Sequence, residues 1–266
     1  MIAAIVFAAT VFAVNQGSIA LVTFPDVAGV KSMELHWSDK KIPVVHTENK
    51  WETVVGIDLD IKAGDHDAEV DVTYNDGKVE KRPIVFSVGS VKFPTTELTV
   101  DDQFVRLSPA NQQRAARETK ELEKIYATLT PEILWSKPFR SPIPGQTKGS
   151  NFGHRRVFNG QPRAPHSGAD LKASTGTPIH ATNRGRVVLA KNLFFTGNTV
   201  VLDHGLGIYT IYAHLSRIDV KVGQTVEESQ LLGLAGATGR VTGPHLHWAA
   251  RIQDARVDPF SLLSIQ

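Results

Sequence analysis

Over its first hundred residues the chain alternates apolar and polar positions with a period of two, the repeat of strands that bury one face. Val70, Val72 and Tyr74 interleave with Glu69, Asp71 and Thr73, and Asn75-Asp-Gly77 then supplies the turn residues of a hairpin into 79–88. Three more β-rich runs, 18–24, 33–37 and 51–57, are separated by turn residues. This spacing predicts a small immunoglobulin-like β-sandwich over 18–107.

The period changes at Ser108-Pro109, a helix start with serine as cap and proline in the first turn. Residues 110–128 are rich in helix formers, and Leu122, Ile125, Tyr126 and Leu129 make an apolar stripe at helical spacing. A linking helix within 108–134 is expected, its stripe packed on a domain and its charged face solvated. From residue 135 onward short β-rich runs return at 178–190, 198–203, 208–214 and 231–235, with glycine turns between them. Residues 135–266 therefore read as an all-β domain of antiparallel sheets, and the whole chain as mainly β.

Residues 1–14 carry no charge and are almost wholly apolar or small, about the length of a signal-peptide core and short for a membrane span. Residues 1–17 are expected to be an export signal or membrane anchor. The competing reading is a first strand or helix of the fold.

Composition narrows the chemistry. With 41% hydrophobic and 21% charged residues the chain is an ordinary globular protein. A net charge of +2 gives no electrostatic basis for a nucleic-acid partner. The absence of cysteine excludes disulfides and thiolate metal sites, leaving histidine and carboxylate as ligands. His166 and Asp170 stand four residues apart, and His245 and His247 two apart. In extended chain each pair shares one face, and Gly243-Pro244 discourages a helix at the second pair. A catalytic zinc site takes three such ligands and keeps one position open, so four candidates are one too many, and the surplus histidine hints at catalysis. His214 closes the run 208–214; His36, His46 and His66 lack any ligand spacing and read as ordinary surface or half-buried histidines. No His-Glu-x-x-His helix, nucleophile elbow or phosphate loop occurs.

The second domain resembles the lysostaphin-like, or LytM-type, zinc endopeptidases that hydrolyse peptidoglycan. The resemblance rests on Asn151-Phe-Gly-His-Arg155, His166-Ser-Gly-Ala-Asp170, Asp203-His-Gly205, Tyr209-Thr-Ile-Tyr-Ala-His-Leu215, Gly236-Ala-Thr-Gly239 and Gly243-Pro-His-Leu-His247, and runs from about 138 to 259. It implies that His166, Asp170 and His247 bind one Zn²⁺ and that His214 and His245 are catalytic, with His245 favoured as the base. It implies an exported enzyme of the periplasm or cell envelope that cuts wall peptides, glycine bridges and D-alanyl cross-links both being family options. The alternative is a latent or non-enzymatic regulator of another wall hydrolase. The first domain lies outside the resemblance and is expected to reach the wall or a wall-associated protein. His204 is expected in a turn or behind a ligand, His154 and His180 on the surface or in the groove, and Arg155 near the groove. Asn151 is a candidate extra ligand.

Overall fold

The computed structural model describes residues 10–136, 138–147 and 151–265. The chain divides into two compact units, 1–91 and 92–266. The first holds strands β1 (Thr10–Asn15), β2 (Ile19–Pro25), β3 (Val30–Trp37), β4 (Lys40–Thr47), β5 (Lys50–Gly56), β6 (Gly64–Tyr74) and β7 (Val79–Gly89). They hydrogen-bond in the order β1-β7-β6-β3-β4-β5-β2. Strand β4 passes between partners: residues 40–44 pair with β3 and 45–47 with β5. The predicted alternation holds, for Val70 and Val72 are buried and the turn at 75–77 closes the β6–β7 hairpin. Both join a core that includes Val22, Leu35, Ile42, Val55 and Phe86, with Trp37 edge-on to Phe86 at 4.6 Å. Within the stretch expected to be an export signal or anchor, 10–15 is strand β1, paired in parallel with 84–89 of β7; residues 1–9 lie outside the described residues. Among the described residues no helix is long and apolar enough to cross a membrane.

The second unit begins with β8 (Thr95–Leu98) and α1 (Pro109–Tyr126), followed by β9 (Arg155–Phe158), β10 (Gln161–Arg163), β11 (Gly168–Lys172), β12 (Pro178–His180) and β13 (Gly185–Leu193). It ends with β14 (Gly197–Asp203), β15 (Ile208–Ile218), β16 (Thr225–Val226), β17 (Leu231–Ala235), β18 (His245–Ile252) and β19 (Ala255–Val257). The expected boundary at 107 moves: β8 pairs in parallel with β9, so 95–98 belongs to the second unit. The expected run 178–190 is two strands, β12 and β13.

The main sheet follows the path β11-β18-β15-β14-β13-β16. Residues 208–215 of β15 are buried without alternation, the mark of a strand covered on both faces. The helix provides one cover. Ser108 caps it by accepting from the Asn111 N–H, and Leu122, Ile125 and Tyr126 pack on Leu189, Val201, Tyr209 and Ile211. The Tyr209 hydroxyl also donates to the Thr128 carbonyl at 2.7 Å. The expected stripe thus packs as predicted, on the second unit.

Candidate metal centre and catalytic histidines

Sheet register assembles the site. In the antiparallel pairing of β11 with β18, Asp170 stands directly across from His247 and Lys172 across from His245. His166 precedes β11, and its ring still reaches the same point. His166 Nε2 lies 3.1 Å from Asp170 Oδ1 and 2.9 Å from His247 Nδ1, which is itself 2.9 Å from that oxygen. Among the described residues these three form the one cluster able to hold a metal ion.

The outward atoms of His166 and Asp170 are tied down. The Asn151 carbonyl lies 3.1 Å from His166 Nδ1, so that nitrogen carries the proton and Nε2 keeps its lone pair. The Asn151 side chain grips Asp170 twice: its oxygen accepts the Asp170 backbone N–H at 2.9 Å and its amide donates to Oδ2 at 3.0 Å. Arg156 donates to the same Oδ2 at 2.9 Å. The inner atoms are then two imidazole nitrogens and one carboxylate oxygen aimed at one spot. A single proton on His247 Nδ1 is all that fits among them, whereas a cation satisfies all three. Two imidazoles and a carboxylate are a catalytic zinc donor set, and the residues present fit one zinc ion.

Burial sets the charge states. It pushes the His166 pKa down to about 4, outweighing the hydrogen bond to Asp170. Burial alone would raise the Asp170 pKa, but the contacts with His166 and His247 reverse this and hold the carboxylate far below its usual range.

The two further histidines face the same spot. His214 takes a left-handed backbone (φ 63°) inside β15, near irregularities in its pairing with β14 and β17. Its Nδ1–H donates to the Thr238 carbonyl at 2.8 Å. Burial, then repulsion by His247 and His245, lowers its pKa to about 3. His245 donates from Nδ1 to the Gly243 carbonyl at 2.9 Å, leaving Nε2 3.6 Å from Asp170 Oδ1. The two rings lie 4.9 Å apart. In the neutral ring each of these bonds leaves Nε2 as the lone-pair nitrogen. The loop carrying Thr238 touches the β14 turn backbone to backbone: Gly197 and Gly239 both have positive φ (61° and 78°), and a Cβ on either would collide with main chain.

The other sequence candidates separate. Asn151 orients Asp170 and His166 and does not supply a fourth ligand. Arg156, not Arg155, pairs with Asp170. The alternation of β9 holds the missed signal, for Arg156 shares a face with Phe158 and its guanidinium lies 5.9 Å from that ring. The His154 ring meets the Thr96 hydroxyl at 2.8 Å while its carbonyl accepts the His166 N–H at 2.9 Å, and His180 lines a separate cleft of about 520 Å³ with Phe139 and Arg140. His204 is fully buried in a directed chain. Its Nδ1–H donates to the Arg184 carbonyl at 2.7 Å, so Nε2 accepts from the Thr210 hydroxyl at 2.7 Å. The Tyr212 hydroxyl then donates across 3.0 Å to Thr210 and accepts the Thr182 N–H. A cleft of about 780 Å³ opens beside the metal centre, lined by Gln146, Asp170, Lys172, Thr177 and His245.

The peptidase family M23 profile matches residues 164–259, the segment that holds all five of these site residues. A crystal structure of an M23 peptidase from Pseudomonas aeruginosa is 33% identical, superposes with a TM-score of 0.66, and is covered over 95% of its length by 94% of this chain. The chain belongs to peptidase family M23. Among other M23-like relatives, the peptidoglycan DD-endopeptidase ShyA of Vibrio cholerae is 46% identical over 111 residues, which are 41% of this chain and 26% of that protein. The DD-carboxypeptidase/endopeptidase Mpg of Neisseria meningitidis is 40% identical over 97 residues, 36% of this chain and 22% of the relative. The match thus spans about a quarter of the length of these curated relatives.

Proposed function

We propose that this chain is a zinc-dependent endopeptidase that hydrolyses peptide bonds in bacterial cell-wall peptidoglycan. The observation that carries the reading is the convergence of His166 Nε2, Asp170 Oδ1 and His247 Nδ1 beside two further histidines, His214 buried and His245 half-buried, each tied to a carbonyl through Nδ1. The names of the relatives favour a DD-endopeptidase among the bond classes. A wall substrate carries with it a location outside the cytoplasm, in the periplasm or cell envelope.

His166, Asp170 and His247 would hold the ion, and bound zinc lowers the pKa of water at the site towards roughly 7 and polarises a carbonyl. Each histidine has a defined part. His245 Nε2 accepts the proton of the attacking water, and the resulting imidazolium then donates to the leaving nitrogen. His214, neutral and fixed by Thr238, has no Nε2 proton to give an oxyanion, so it accepts a hydrogen bond from the water and orients it. The open cleft bounded by β11 and His245 receives an extended peptide. We also infer an immunoglobulin-like sandwich in residues 10–91 that reaches the wall or a wall-associated protein; the seven-strand path sharing one core supports it.

The test is zinc content together with release of soluble peptides from purified sacculi, before and after chelation. One zinc per chain, with activity lost to chelator and restored by zinc, is the expected result. Zinc binding without hydrolysis of sacculi or cross-linked peptides would overturn the enzyme reading and leave the regulator.

A further inference from the structure

We propose that Arg240 anchors a carboxylate-binding subsite beside the metal centre, one that takes a free carboxylate of the substrate peptide. The proposal rests on the peptidase reading for its ligand and on the following geometry for its place.

Arg240 lies two residues beyond Thr238, whose carbonyl fixes His214, and its own N–H is tied to the Phe195 carbonyl at 2.8 Å. Its guanidinium lies 4.7 Å from the Phe158 ring centroid and 4.5 Å from that of Phe195. These rings fix the group and cover apolar area around it. Its donors meet nothing: among the described residues no carboxylate or other acceptor partners the Arg240 side chain, which remains partly exposed.

Two more guanidiniums stand nearby. Arg156 is committed to Asp170. Arg163 reaches only neutral acceptors, the Val105 carbonyl at 3.1 Å and Gln161 at 2.8 Å, and its Nε is buried without a partner. Three arginines therefore share one carboxylate, and that carboxylate is a metal ligand. Burial, then repulsion by Arg156 and Arg163, lowers the Arg240 pKa to about 10. Desolvated like charges without a counter-ion are costly, and an incoming anion relieves the cost. A guanidinium edge matches a carboxylate by two parallel hydrogen bonds. Arg240 is not among the residues that line the cleft beside Asp170 and His245, so the subsite it forms is a separate anchor that fixes the register of a peptide reaching past His214.

The experiment uses the full zinc-loaded chain and two wall-type peptides that differ only in a free α-carboxylate or its carboxamide. The wild type should favour the acid by about 10- to 100-fold in kcat/KM, the range of a charge-assisted hydrogen bond, chiefly through KM. Arg240→Gln should bring the acid-to-amide ratio near one, and Arg240→Lys should restore part of it. Equal wild-type rates on the two peptides, or an unchanged ratio in Arg240→Gln, would overturn the subsite. A second readout needs no turnover. In metal-free protein the Arg240 Nε–H resonance should shift on titration with N-acetylalanine and stay put with its carboxamide. No shift with the acid removes the subsite. A shift in a protein that cleaves no wall peptide keeps the subsite and removes the proposed substrate.

Discussion

The histidines of the two units teach what the same side chain becomes in different surroundings. In the first unit His36 lies 3.2 Å from Glu34 and 3.3 Å from Asp71, and His46 lies 3.1 Å from Asp26, all partly open to water. In the second unit His166, His204 and His214 are buried, and burial drives the pKa of each down to about 4, 4 and 3. A carboxylate near a histidine is thus not what marks a site, since both units have that pairing. What sets His166, His214 and His245 apart is a carbonyl partner fixed on Nδ1 that leaves Nε2 turned toward one shared spot.

The sharpest way to break this contrast is Asp170→Asn. It should abolish zinc binding and lower hydrolysis by about a thousandfold or more, measured by metal content and peptide release, because it removes the one anionic ligand. Next come His214→Ala and His245→Ala, expected to keep zinc while turnover falls about 10²- to 10⁴-fold. A His245→Ala protein with full activity would remove that residue from the proposed base role. Asn151→Ala should weaken zinc about 10- to 100-fold, since Asn151 orients two ligands without touching the ion; competition with a metal indicator reads this.

His204 sharpens the comparison away from the metal. Its folded pKa is depressed below the unfolded value, so the unfolded chain binds the extra proton as pH falls. The stability it confers is complete above about pH 6.5 and is lost progressively down to about pH 4, an order of about 3 kcal/mol. Urea titrations of metal-free protein against pH should show this contribution together with those of His166 and His214, and His204→Gln should reduce the slope by its share. The smallest effect belongs to the first unit. His46→Ala should leave the melting temperature within experimental error, because its contact with Asp26 is exposed and such contacts contribute little.

The four candidates were legible in the sequence, and for His245 and His247 strand parity, a local property, is the reason, since two apart on β18 they share a face; the choice of three among the four came from the family resemblance. The helix was legible for the same reason, through its cap and its stripe. What escaped depends on contacts distant in sequence. Residues 95–98 look like one more strand of the first domain, yet their partner is 155–158, some sixty residues on. Asn151 acts through both its main chain and its amide, and no spacing rule encodes a two-handed grip. The apolar run 10–15 fits a leader as well as a strand by composition, and its pairing with 84–89 of β7 is a contact distant in sequence.

The paired glycines at 197 and 239 have a consequence for anyone who would redesign the cleft. Because the two turns meet main chain to main chain, a library that varies residue 239 would first displace Thr238, and with it the carbonyl that holds His214. Diversity in this loop is best confined to Arg240, Val241 and Thr242, where specificity can drift while the catalytic geometry is inherited unchanged.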